Sequence, residues 1–97
     1  METKEVKTSV GIWVIKAPKA GARNRAMIKA ESDSGAVRKT ILMTELVPKC
    51  IVKRPDGFDL DVPIEQVLDD LEPKDYDAIF IEIAKLMEPE AFEEKKS

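Results

Sequence analysis

Histidine is absent from the 97 residues, and cysteine occurs once, at Cys50. Without an imidazole, neither a Ser-His nor a Cys-His nucleophile pair can form, and the common zinc ligand sets cannot be assembled. A single thiol cannot close an internal disulfide, which fits a reducing compartment. Aromatic residues make up only 5%, so stacking of nucleic-acid bases has little more than Trp13 to draw on. No segment approaches the roughly 18 consecutive apolar residues of a membrane span. The opening METKEVKTSV contains no apolar stretch of the kind found in secretory signals. A soluble protein of the cytoplasm is the expectation.

Charge, by contrast, is plentiful. Asp, Glu, Lys and Arg together reach 36%, above the roughly 25% of an average domain. The two signs are unevenly placed, since residues 1–54 hold 12 Lys/Arg against 5 Asp/Glu and residues 55–97 hold 4 against 14. A formal net charge of -3 therefore hides a basic half and an acidic half, which suggests opposed faces or attraction between copies. The length suits one domain, read as residues 1–87, with the charged EPEAFEEKKS end forming a tail over 88–97.

Val10, Ile12, Trp13, Val14 and Ile15 form a β-branched and aromatic run ended by Pro18, which reads as a strand covered on both faces or by a partner. A helix is expected from about residue 19 to 31, and Ser32-Asp33-Ser34-Gly35 as a loop that caps the next one at Asp33 or Ser34. From Ala36, the positions Val37, Ile41, Leu42, Leu46 and Val47 follow helical spacing up to Pro48. Cys50 and Val52, then Phe58, Leu60 and Val62, alternate about Arg54-Pro55-Asp56-Gly57, the pattern of a β-hairpin. Ile64, Val67, Leu68 and Leu71 fit a short helix capped by Asp61 or Val62, and Pro73 opens a longer one striped by Tyr76, Ile79, Phe80, Ile83, Leu86 and Met87. Ile81 lies off that stripe. The predicted fold is α+β and mainly helical: an N-terminal strand, two middle helices, a small β-hairpin and two C-terminal helices.

Motifs for catalysis or ion binding do not materialise. Gly35 to Thr40 ends in Lys-Thr but lacks the glycine spacing of a phosphate loop, and Asp56, Asp59 and Asp61 miss the alternation of a calcium loop. Asp69, Asp70 and Glu72 are the nearest approach to a carboxylate pair. Adjacent positions on a helix diverge by about 100°, so those groups do not share a proton. No enzyme, cofactor or metal is expected.

Binding surfaces are more promising. A chain this short buries only about 60 to 65% of its unfolded surface, and its apolar helices and strand exceed what one small core hides. A partner or self-association is therefore expected, with Trp13, Ile15, Tyr76, Phe80, Ile83 and Met87 as candidate contact residues. Lys16, Lys19, Arg23, Arg25, Lys29 and Arg38 form a candidate basic face for phosphate backbones.

The order of elements in residues 38–87 resembles the C-terminal half of tail assembly chaperones of long-tailed phages and proviruses. Ile41 to Val47 matches an apolar helix, Val52 with Asp56-Gly57 a turn, Val67 to Leu71 with Pro73 a short helix, and Asp75-Tyr76 to Leu86 a final helix. The resemblance implies a non-enzymatic, mainly helical protein that coats the tape-measure protein, keeps it soluble and helps recruit tail tube subunits; a homo-oligomer is expected from the apolar excess and the opposite charge of the two halves. The basic segment from Lys16 to Arg38 departs from that family's more acidic pattern. It motivates the alternative expectation of a small nucleic-acid-binding regulator.

Overall fold

The computed structural model describes residues 2–31 and 38–87. The chain reverses at once: β1 (Thr3–Thr8) and β2 (Gly11–Lys16) run antiparallel with an unshifted register from Thr3↔Lys16 to Thr8↔Gly11. Ser9 and Val10 form the two-residue connection. Gly11 sits at φ +133°, where a side chain is strained, and a Cβ there would meet Pro55 Cβ at 2.7 Å. Thr8 steadies the turn by donating its hydroxyl to the Gly11 carbonyl at 3.2 Å and accepting the Trp13 indole N–H at 3.0 Å.

After β2 come α1 (Ala20–Ala30) and α2 (Lys39–Cys50), packed on one another with Ala26, Ala30 and Leu46 buried. A Lys29–Glu45 ion pair at 3.2 Å spans the two helices. β3 (Ile51–Lys53) then joins β2 antiparallel, with a register shift between Val14 and Ile15, giving the sheet order β1-β2-β3. α3 (Ile64–Asp69) and α4 (Pro73–Met87) complete the chain as described. The core lies between the inner sheet face and the helices, where Val6, Trp13 and Ile15 meet Val47, Cys50, Leu68, Ile79 and Ile83. No helix among the described residues is long and apolar enough to cross a membrane.

The α+β class with helices predominating stands, but the hairpin lies elsewhere than expected. It is β1 and β2, and β1 is a strand that the polar run TKEVKT concealed. Of the segment expected to pair with itself, only Ile51–Lys53 is a strand, and its partner is β2. Residues 58–62 instead form a loop held by Arg54, whose Nη1 donates to the carbonyls of Asp59 at 2.9 Å and Val62 at 2.8 Å. Those bonds replace a strand ladder. Phe58 turns inward to Trp13, at 5.7 Å between ring centroids, while Leu60 points to solvent, so the alternation was real but belonged to a loop.

Pro48 does not end α2, which continues to Cys50 because Val47 and Cys50 are fully buried and anchor the last turn. α3 begins after Pro63 without a side-chain cap from Asp61 or Val62. The expected cap at Asp33 or Ser34, the helix start at Ala36 and the tail over 88–97 lie outside the described residues.

Asp75 lies in the first turn of α4, near the positive end of the helix dipole. In the fold it is buried and accepts two bonds from Ser9, one from the backbone N–H at 3.2 Å and a short one from the hydroxyl. The hairpin loop is thereby tied to the first turn of α4. The Ser9 hydroxyl, then the Ser9 N–H, hold the Asp75 carboxyl below the usual carboxylate range; burial opposes them and Lys74 adds a smaller lowering. Burial also pushes the Cys50 thiol up to about 11, so it stays protonated and unreactive.

Two outcomes follow. Trp13→Ala removes a side chain with no exposed surface and should cost about 3 to 5 kcal/mol in urea denaturation. Because the folded pKa of Asp75 is depressed, its stabilisation is complete above the unfolded value and is lost as pH falls through the folded one. The urea midpoint should therefore drop between about pH 5 and pH 2, and Ser9→Ala should flatten that drop.

Candidate partner-binding groove

Three helices converge on one side of the molecule, each presenting a ridge of helical spacing. α2 supplies Thr40, Met43, Thr44 and Pro48; α3 supplies Glu65, Leu68 and Asp69; α4 supplies Pro73, Tyr76 and Asp77, with Leu71 between them. Positions three and four apart lie on one face of a helix, so each ridge is continuous. Between them is an open groove of about 420 Å³.

Its composition is divided by depth. Met43 and Leu68 are buried at the floor, Pro48, Leu71 and Tyr76 are half-buried on the walls, and Glu65, Asp69 and Asp77 are exposed at the rim. Among the described residues, the lining contains no Lys or Arg. Burial raises the Tyr76 phenol above its ordinary pKa, and the Asp69 and Asp77 charges add to this, so the hydroxyl remains a hydrogen-bond donor. An apolar floor with an anionic rim suits an amphipathic segment carrying cations beside its apolar anchors.

Only Tyr76, of the six residues expected to contact a partner, lines this groove. Trp13, Ile15 and Ile83 have no exposed surface and Phe80 retains 7%, so these four are core rather than a docking face. Met87 is half-buried at the end of α4. The sequence pattern does not single out Met43, and it presents Pro48, Leu68 and Leu71 as a helix stop and a helix stripe rather than as contact residues. The signal for Met43 is the border of the α2 stripe, where the spacing of Thr40, Met43 and Thr44 places polar groups beside an apolar one.

The basic residues are only partly gathered. Lys16, Lys19 and Arg25 surround a shallow recess of about 370 Å³ with Lys49, a residue not anticipated there. Lys29 is paired with Glu45, Arg23 reaches Asn24 Oδ1 at 3.4 Å, and Arg38 lies outside the recess at the start of α2. Trp13 is interior and offers no stacking surface beside these cations. Among the described residues, no three Cys, Asp or Glu side chains come together as a metal-binding group. Compared with protein-family models, with curated proteins and with solved structures, the chain matches none.

Proposed function

We propose that this protein is a non-enzymatic tail assembly chaperone of a long-tailed phage or provirus, acting in the host cytoplasm to hold a helical segment of the tape-measure protein. The observation that carries the reading is the open groove between α2, α3 and α4, with its apolar floor and acidic rim. A holdase must shield apolar ridges of an unassembled helix while leaving them releasable, and a shallow helix-lined groove does that. Every described residue lining the groove falls within 38–87, the segment whose order of elements resembles that family. Tube subunits would be recruited once several copies coat one client.

Co-expression with the product of the longest downstream reading frame tests this. The client should be soluble and captured with many copies of this chain, and insoluble alone. A variant carrying Asp69→Lys and Asp77→Lys reverses the rim without touching buried side chains, and should reduce capture at least about tenfold by removing charge complementarity. Failure to capture any helical client, or capture indifferent to the variant, sinks the reading.

The gathering of Lys16, Lys19, Arg25 and Lys49 around one recess favours a second reading, a nucleic-acid-binding regulator. Fluorescence anisotropy with a labelled duplex separates the two. A regulator using those four cations should lose affinity steeply with salt, with a logarithmic slope of about -4, and weaken with Lys49→Glu. The chaperone reading expects no binding at physiological salt.

A further inference from the structure

Among the described residues, the sheet order β1-β2-β3 leaves the outer edge of β1 without a strand partner. Thr8 closes the two-residue hairpin opposite Gly11, so counting back in twos, Val6 and Lys4 exchange hydrogen bonds with β2. Thr3, Glu5 and Lys7 consequently direct their backbone N–H and C=O groups outward. β1 contains no proline, and its pairing with β2 has no bulge along six residues. Such an edge is a template for another strand unless charge blocks it.

The charges on β1 are arranged to permit one partner. Lys4 points inward and is engaged by Glu82 of α4, which Lys85 also contacts at 3.1 Å. Glu5 and Lys7 are exposed on the outer face, and neither has an ion-pair partner among the described residues. In an antiparallel copy set with Val6 opposite Val6, Glu5 falls opposite Lys7 of the second copy, and Lys7 opposite its Glu5. The same register places the outward-directed backbone groups of Glu5 and Lys7 in mutually bonded pairs. Beside this point, Ala78 and Ile81 of α4 flank Val6 along a groove of about 390 Å³, and Ile81 is 50% exposed.

We propose that the chain forms a two-fold symmetric dimer by antiparallel pairing of β1 edges about Val6, giving a continuous six-stranded sheet. Two Glu5–Lys7 pairs fix the register, and Ile81 from each copy approaches the two-fold axis. Opposite charges placed directly across antiparallel strands attract and like charges repel, so the self-complementary order Lys4-Glu5-Val6-Lys7 specifies this register over its neighbours. None of the residues at this edge lines the groove between α2, α3 and α4. The dimer therefore stands or falls separately from client binding.

Sedimentation velocity over a concentration series tests the proposal. The native chain should dimerise, and Glu5→Lys or Lys7→Glu alone should weaken the dimer at least about tenfold, because each sets like charges opposite one another twice. An equimolar mixture of the two variants should dimerise again, since every cross-strand pair becomes attractive, and so should the chain carrying both substitutions. In the dimer, the Glu5 and Lys7 amides should gain protection from hydrogen exchange. A native chain that stays monomeric overturns the proposal, as does an assembly insensitive to both variants or a mixture that remains monomeric.

Discussion

Burial of the Trp13 indole in the middle of the central strand is the constraint on which the other parts depend. Its N–H finds the Thr8 hydroxyl, its ring meets Phe58, and no part of it reaches solvent. An aromatic ring of this size dominates the packing of so small a core, and its polar atom requires a partner when buried. The Thr8 bond supplies that partner and simultaneously shapes the hairpin. Phe58, drawn inward against the indole, commits residues 54–62 to a loop whose carbonyls the Arg54 guanidinium then satisfies.

The long-range tie between Ser9 and Asp75 complements this packing. A carboxylate buried at the start of α4 needs donors, and the hairpin loop supplies two from one residue. Apolar contact alone leaves the hairpin free to slide over the helices, whereas directional bonds 66 positions apart set where it stops. With α4 placed in this way, one of its faces closes the core. A second faces the groove through Tyr76 and Asp77, and a third lies along β1 through Ala78 and Ile81.

The charge asymmetry of the sequence takes a concrete form in the fold, although not as two simple faces. Acidic residues from α3 and α4 edge an apolar groove, whereas part of the basic segment gathers with Lys49 at a separate recess. Lys29, from the basic half, is neutralised by Glu45 rather than offered to a partner. Lys4 is likewise held within the molecule by Glu82. Charge counting along a chain overstates the free charge on its surface, because neighbouring elements consume part of it.

Helix periodicity was legible from the sequence because α1, α2 and α4 bury faces whose spacing is local, and their existence follows from residues three and four apart. Turn residues likewise announced breaks at Asp56-Gly57 and Pro73. By contrast, β1 reads as polar and charged, since only Val6 of its six residues is buried, and an edge strand owes its conformation to its neighbour rather than to its own pattern. The candidate contact residues were misplaced for a related reason. Periodicity identifies which side chains are apolar, but which of them face the interior depends on what packs against each face. The sequence by itself determined the helices, the charge distribution and the absence of histidine chemistry. The tertiary structure alone decided that Trp13 is core, that β1 is the edge strand among the described residues and that Met43, Leu68 and Leu71 meet in one groove, because each depends on contacts between segments distant along the chain.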